Sequence, residues 1–241
     1  MNPALSSILF LDIETVPSTE KFELLPERIK TLWEKKHKTT FGNTTAYFPD
    51  QSYEDKGGIY AEFGKIVVVG IGFCFIKDGE WHLKTKSIFG NDEKILLEEV
   101  IGIMTKWETK QPLVLCAHNG KEFDFPFLAR RMTIHRLKLP KCLDIGNKKP
   151  WEIPHLDTME MWKFGDKKSY TSLELLAAIF DIDGSKDDID GSQVAKVYYK
   201  EQNLERIAKY CEKDVVVLIQ IYLALNALDT IKEQNIINSI S

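Results

Sequence analysis

KIVVVGIGFCFI (Lys65–Ile76) runs through the turn KDGE (Lys77–Glu80) into WHLKTKSIF (Trp81–Phe89). The first run is rich in β-branched and aromatic residues, and Asp78-Gly79 is a favoured two-residue turn. Together they predict an antiparallel hairpin. Toward the N-terminus, Ser7–Ile13 is a nearly continuous apolar run that ends at Glu14, Thr15 and Pro17, as a buried strand with acids at its exit end would. Toward the C-terminus, Asn91 or Asp92 is placed to cap a helix that is apolar at Ile95, Leu96, Val100, Ile101 and Met104. PLVLCA (Pro112–Ala117) is a second buried strand. The loop His118-Asn119-Gly120 then leads into a helix through Phe127, Leu128 and Met132, with Pro126 near its start.

Farther out the signals are coarser. Residues 18–62 read as an insertion on the first strand, with a helix over Phe22–Lys36 followed by a loop rich in Thr, Gly, Asn and Pro. Residues 138–156 read as loop, His155–Thr158 as a short strand, and Ser172–Phe180 and Gln193–Tyr199 as short helices. A long helical pattern runs from Leu204 to about Ile231. The order of strand, hairpin, helix, strand, helix, strand and further helices predicts an α/β fold, a central mixed sheet flanked by helices in one domain over 1–241.

The 241 residues are 44% hydrophobic and 11% aromatic, a soluble globular composition. A net charge of −4 sets the chain apart from strongly basic proteins that coat nucleic acid without specificity. It leaves room for an enzyme whose site gathers carboxylates for cations and keeps its basic groups at the rim. Cys74, Cys116, Cys142 and Cys211 form no CxxC pair, so neither a zinc site nor a disulfide framework is expected. The first residues lack the basic start of a signal peptide, and no apolar stretch reaches the roughly 18–20 residues of a membrane span. The expectation is a cytoplasmic protein with no membrane association.

Three short segments carry the chemistry. In Asp12-Ile13-Glu14 the two carboxylates are two apart on a strand and so share a face, where they repel unless a cation or proton intervenes. Buried α/β strands present ligand sites beyond their carboxyl ends, which is where this pair falls. Asp124, in NGKEFDF, lies beyond the second buried strand. Tyr210 and Asp214, four apart, share one helix face. Each segment alone has a plain explanation: a solvated strand end, a helix cap, an amphipathic helix. Taken together, four carboxylates on strand ends and helices form a hard-oxygen donor set suited to Mg²⁺ or Mn²⁺.

FLDIET, HNGKEFDF and YCEKDV resemble, in order, the three exonuclease motifs of the DEDD superfamily in its tyrosine-containing branch. The likeness is greatest to the proofreading domain of family-B DNA polymerases and to stand-alone predicted 3′→5′ exonucleases related to it. YTSLELLAAIF (170–180) also resembles the stretch before the third motif in ribonuclease D-like enzymes. The resemblance implies a ribonuclease H-like fold and a two-metal hydrolase that releases nucleoside 5′-monophosphates. It implies that Asp12 bridges both ions, that Glu14 and Asp214 complete the nucleophile-side ion, that Asp124 holds the second, and that Tyr210 orients the attacking water.

Asn119 and Phe123 are the candidate substrate contacts, the latter by stacking on a terminal base. Asp157 either supports the site or serves as a cap, and Cys211 is adjacent to the chemistry. Lys121, Arg130, Arg131, Lys148 and Lys149 are the basic residues placed to meet phosphates. The partner implied is nucleic acid with a free 3′ end, single-stranded DNA ahead of RNA. Two alternatives stay open: a 3′→5′ exoribonuclease, and a catalytically silent nucleic-acid-binding module on the same fold. No polymerase motif is read in the chain, so a proofreading role calls for a polymerase or repair partner.

Overall fold

The strand expected over Ser7–Ile13 runs on through both acids as β1 (Ile8–Pro17). Asp12 and Glu14 therefore lie within the strand and not beyond its end, because Asp12–Pro17 stay paired with the first hairpin strand. β1 lies between the hairpin and the second predicted strand. The computed structural model describes residues 4–42, 47–166, 170–184 and 189–239. The hairpin strands are β2 (Gly64–Lys77) and β3 (Glu80–Phe89), and the predicted strand after α3 (Glu93–Glu108) is β4 (Val114–Ala117). With β5 (Leu156–Asp157) and β6 (Ile236–Ile237) they give the sheet order β5-β4-β1-β2-β3-β6. β1 and β2 are antiparallel, as are β2 and β3. The β1–β4, β4–β5 and β3–β6 pairs are parallel, so the sheet is mixed as expected.

Alternation along β1 divides the core into two. Leu9, Leu11 and Ile13 pack with α3 and with α4 (Asp124–Ile134), whereas Ile8 and Phe10 pack with α8 (Leu204–Leu225). α8 lies unusually close to β2 because two glycines face it. A Cβ on Gly70 would fall 2.9 Å from Cys211 Sγ, and one on Gly72 would fall 2.7 Å from Val215 Cγ1 and 2.9 Å from Ile219 Cδ1. Those contacts are closer than packed side chains tolerate, so the bare backbone sets how near the helix rests.

Several boundaries differ from expectation. The long helix ends at Leu225, not near Ile231. Ala227 takes a left-handed φ of 53°, and the Leu228 and Ala227 amides donate to Leu223 and Ala224 carbonyls at 3.0 Å each, a Schellman-type stop. The apolar positions beyond it belong to a returning segment, clamped where Gln220 donates to the Ile231 carbonyl at 2.7 Å and accepts from its amide at 2.9 Å. That return delivers β6, which the sequence reading lacked.

The strand expected over His155–Thr158 shortens to β5 because Asp157 caps α5 (Thr158–Lys163). α6 (Leu173–Ile179) starts at the Ser172 cap, and α7 (Val194–Lys196) passes into a single π-turn, Val197–Glu201. In the 18–62 region the helix α1 spans Glu27–Phe41, and a further helix, α2 (Pro49–Lys56), begins where loop was expected, with Pro49 at its start. Residues 43–46 of that expected loop lie outside the described residues. Trp33, Tyr53 and Phe63 give α1 and α2 a small aromatic core of their own. Among the described residues no helix is long and apolar enough to cross a membrane.

The close approach of α8 predicts that Gly72→Ala costs about 1–3 kcal/mol in urea unfolding. Val215→Ala in the same chain should recover part of that loss. Simple additivity of the two effects would show that the contact is not what limits the approach.

Candidate active site

Asp12 sits on β1 directly across from Gly70 of β2, and a register shift falls between Glu14 and Thr15. That irregularity comes immediately after the second acid, where a bulge bends the strand and re-aims its side chains. Asp124 opens α4, and its Oδ1 accepts a hydrogen bond from the Ile13 amide at 3.1 Å, which fixes it against β1 between the two β1 acids. Tyr210 and Asp214 come from consecutive turns of α8, and the Tyr210 hydroxyl is hydrogen-bonded to the Asp214 carboxylate. Glu14, Asp124, Asp214 and Tyr210 are buried, and Asp12 is half-buried. The five residues predicted from three separated motifs therefore meet at one place.

Electrostatics make this cluster costly. Burial pushes the Asp12 and Glu14 carboxyls well above their usual range, and the neighbouring Asp214 and Asp124 charges push further; for Asp12, Glu14 adds to the effect. Burial raises Asp124 to about 7, even though its own amide and that of Ile13 favour the ionised form. Burial and the carboxylates likewise raise the Tyr210 phenol, which keeps its proton at neutral pH. Such a set of mutually repelling oxygen donors is suited to a hard divalent cation, so the residues present fit the ions that the motifs imply.

Cys211 is nearer to this chemistry than its place in the motif suggests. Its thiol donates to Asp12 Oδ2 at 3.3 Å and approaches the Asp12 carbonyl at 3.5 Å. Its sulfur and one oxygen each of Asp12 and Glu14 lie within 4.8 Å of one another. Burial and the adjoining acids push the thiol well up, so it keeps its proton and serves Asp12 as a hydrogen-bond donor. All four cysteines are free and buried.

The loop before Asp124 is held by Asp157, which unites the two roles that the sequence left as alternatives. Its carboxylate caps α5 and also accepts from the Asn119 amide at 3.0 Å and the Lys121 amide at 3.1 Å. Asn119 adopts a φ of 62°, and its Oδ1 is buried with no hydrogen-bond partner among the described residues. Phe123 is half-buried and packs on Phe127 with ring centroids 5.4 Å apart.

The basic candidates divide. Arg131 is buried in a pairing with Glu93 and donates to the Ala61 carbonyl at 2.8 Å, so it is not available to phosphates. Lys121 pairs with Glu160 at 2.6 Å. Lys149 lies over the Trp151 ring, while Arg130 and Lys148 are exposed.

Residues 61–240 match the family described as "Predicted 3'-5' exonuclease related to the exonuclease domain of PolB". The chain belongs to that family. It is thus an exonuclease of the 3′→5′ class with a PolB-like exonuclease domain. The match begins after Asp12 and Glu14, so it covers the second and third motifs. The chain is also 26% identical over 178 residues to DNA polymerase 1 of Pyrococcus abyssi, covering 66% of this chain and 22% of that relative. The DNA polymerase of Pyrococcus horikoshii aligns at the same identity and length, with 66% of this chain and 14% of the relative covered. The family B DNA polymerase of Pyrobaculum calidifontis shares the fold, with a TM-score of 0.52 at 12% identity over 90% of this chain and 24% of that one. The exonuclease thus spans about a quarter or less of the polymerases it matches. Its helix-flanked six-stranded mixed sheet is of the ribonuclease H-like type.

The raised carboxyls set a pH dependence. Each binds protons more tightly folded than unfolded, so with chelator present their contribution to stability is full below about pH 4 and falls as pH rises to about 7. Asp12→Asn removes one such group. In urea unfolding it should be more stable than the parent at pH 7.5 and show a shallower decline from pH 4. Equal slopes for the two proteins would contradict the electrostatic account.

Proposed function

We propose that Asp12, Glu14, Asp124 and Asp214 hold two divalent cations, Mg²⁺ or Mn²⁺, and that the exonuclease trims single-stranded DNA from its 3′ end in the manner of the tyrosine-containing DEDD branch. The observation that carries this reading is the meeting of four carboxylates from β1, α4 and α8 at one site, where Asp124 and Asp214 raise the proton affinity of both β1 acids and Glu14 raises that of Asp12. When bound, such ions supply neutralisation of that charge and electrophilic stabilisation of the attacked phosphate.

The chain's own residues position the reaction. Tyr210, protonated and already a donor within the cluster, orients the attacking water. Cys211 keeps the Asp12 carboxylate turned by its hydrogen bond. The unpaired Asn119 Oδ1 accepts from a sugar hydroxyl or base amine of the terminal nucleotide, and Phe123 supports that nucleotide's base. In the overall step the water oxygen bonds to the terminal phosphorus and the bond from phosphorus to the preceding 3′ oxygen breaks. A proton passes to that departing oxygen, leaving a nucleoside 5′-monophosphate and a strand one residue shorter.

The test uses 5′-labelled single-stranded DNA and RNA with Mg²⁺ or Mn²⁺. Stepwise shortening from the 3′ end, faster on DNA, is expected, with loss of more than about a hundredfold on chelation or in Asp12→Ala and Asp214→Ala. Undiminished hydrolysis in Asp214→Ala removes that residue from the machinery. Faster turnover of RNA assigns the exoribonuclease reading, and binding without any shortening assigns the silent module.

Tyr210→Phe should lower kcat about ten- to a hundredfold on a substrate for which chemistry limits the rate, with little change in Mn²⁺ affinity. Wild-type turnover in that variant makes Tyr210 a packing residue only.

A further inference from the structure

A cleft of about 450 Å³ is lined by Lys65, Asn91, Tyr198, Tyr199, Gln202 and Leu204. Lys65 stands near the start of β2, opposite Val16 of β1, two residues past Glu14. Strand geometry places that pair about 7 Å beyond Glu14 along β1. Tyr198, Tyr199 and Leu204 pack against the core cluster that contains Val16 and Tyr210, so the cleft and the carboxylates share one face of the sheet.

The construction of the cleft is specific. The Lys65 ammonium donates to the Tyr198 hydroxyl at 3.0 Å and lies 4.7 Å and 5.6 Å from the Tyr198 and Tyr199 ring centroids. The Tyr198 hydroxyl donates in turn to Asn91 Oδ1 at 3.0 Å, and the Tyr199 hydroxyl donates to the Pro17 carbonyl at 2.5 Å. Among the described residues Lys65 forms no ion pair with a carboxylate. In an acidic chain it is a half-buried cation held in place by aromatic rings and hydroxyls, with amides at the rim. That is the chemistry that receives a phosphate on a sugar or base stacked against a tyrosine. A phosphate chain near four carboxylates meets repulsion, which a cation close by offsets.

We propose that this cleft grips the substrate strand a nucleotide or two 5′ of the scissile bond, with Lys65 on a backbone phosphate and Tyr198 beside the adjoining nucleoside. The inference rests on the exonuclease reading above, and adds to it the surface that distinguishes a strand from a dinucleotide. The phosphate it receives is chemically that of the strand or of the released nucleoside 5′-monophosphate, and the two sources are separable.

The direct test is the ratio of kcat/KM for an octanucleotide to that for a dinucleotide, measured in the wild-type protein, Lys65→Ala, Lys65→Arg and Tyr198→Phe. Lys65→Ala should collapse the octamer preference about tenfold and reduce the salt slope of octamer binding by about one. Lys65→Arg should retain most of the preference, and Tyr198→Phe should lie between. Thermal melts confirm that each variant folds. An unchanged ratio in Lys65→Ala overturns the proposal. It is also overturned if Lys65→Ala only relieves inhibition by added nucleoside 5′-monophosphate, since the cleft then holds product. If the wild-type protein shortens no oligomer, the exonuclease reading has failed separately. Anisotropy of a labelled octamer then decides the cleft, with about tenfold weaker binding in Lys65→Ala supporting it and equal binding overturning it.

Discussion

The contact between α8 and the bare backbone of β2 at Gly70 and Gly72 governs the geometry of the rest. Asp12 lies across from Gly70, and Cys211 rests above that glycine with its thiol on the Asp12 carboxylate. Because α8 comes this close, Tyr210 and Asp214 reach the two acids in the middle of β1. Any side chain at either glycine would lift the helix and separate the third motif from the first. The matched family region, residues 61–240, includes β2 and α8.

Closeness carries an energetic penalty that points to the site's use. Four acids packed together in a folded chain oppose one another, and burial deepens the conflict. Ordinary core design avoids this arrangement, and functional sites accept it because a ligand resolves it. The surrounding structure holds the strain in place: Asp124 is pinned by the Ile13 amide, and the loop before it is fixed by Asp157. Near that rigid centre Asn119 Oδ1 is buried without a hydrogen-bond partner among the described residues, and the Lys65 ammonium is held by the Tyr198 hydroxyl.

Much of this was legible in the sequence because it rests on local signals. The hairpin turn at Asp78-Gly79, the apolar run into Asp12, and the four-residue spacing of Tyr210 and Asp214 each fix a local geometry, and motif order supplied their grouping. What was not legible depends on contacts between distant segments. The stop of α8 at Leu225 requires Ala227 to turn left-handed and Gln220 to clamp Ile231, and apolar periodicity past that point imitates a continuing helix. β6 exists only because that return brings Ile236 to the free edge of β3. The thiol of Cys211 reaches Asp12 from 199 residues away, and the Lys65–Tyr198 pair spans 133, so neither has a signature in spacing. Arg131 shows the reverse: its basic character suggested phosphate, yet Glu93 holds it inside.

The most direct measurement of the central claim is Mn²⁺ binding followed by electron paramagnetic resonance or calorimetry, in the wild-type protein and in Asp12→Asn. If the carboxylates of β1, α4 and α8 form a cation site, the wild-type protein binds Mn²⁺ and Asp12→Asn loses at least about tenfold in affinity. Equal Mn²⁺ affinity in the two proteins would contradict it.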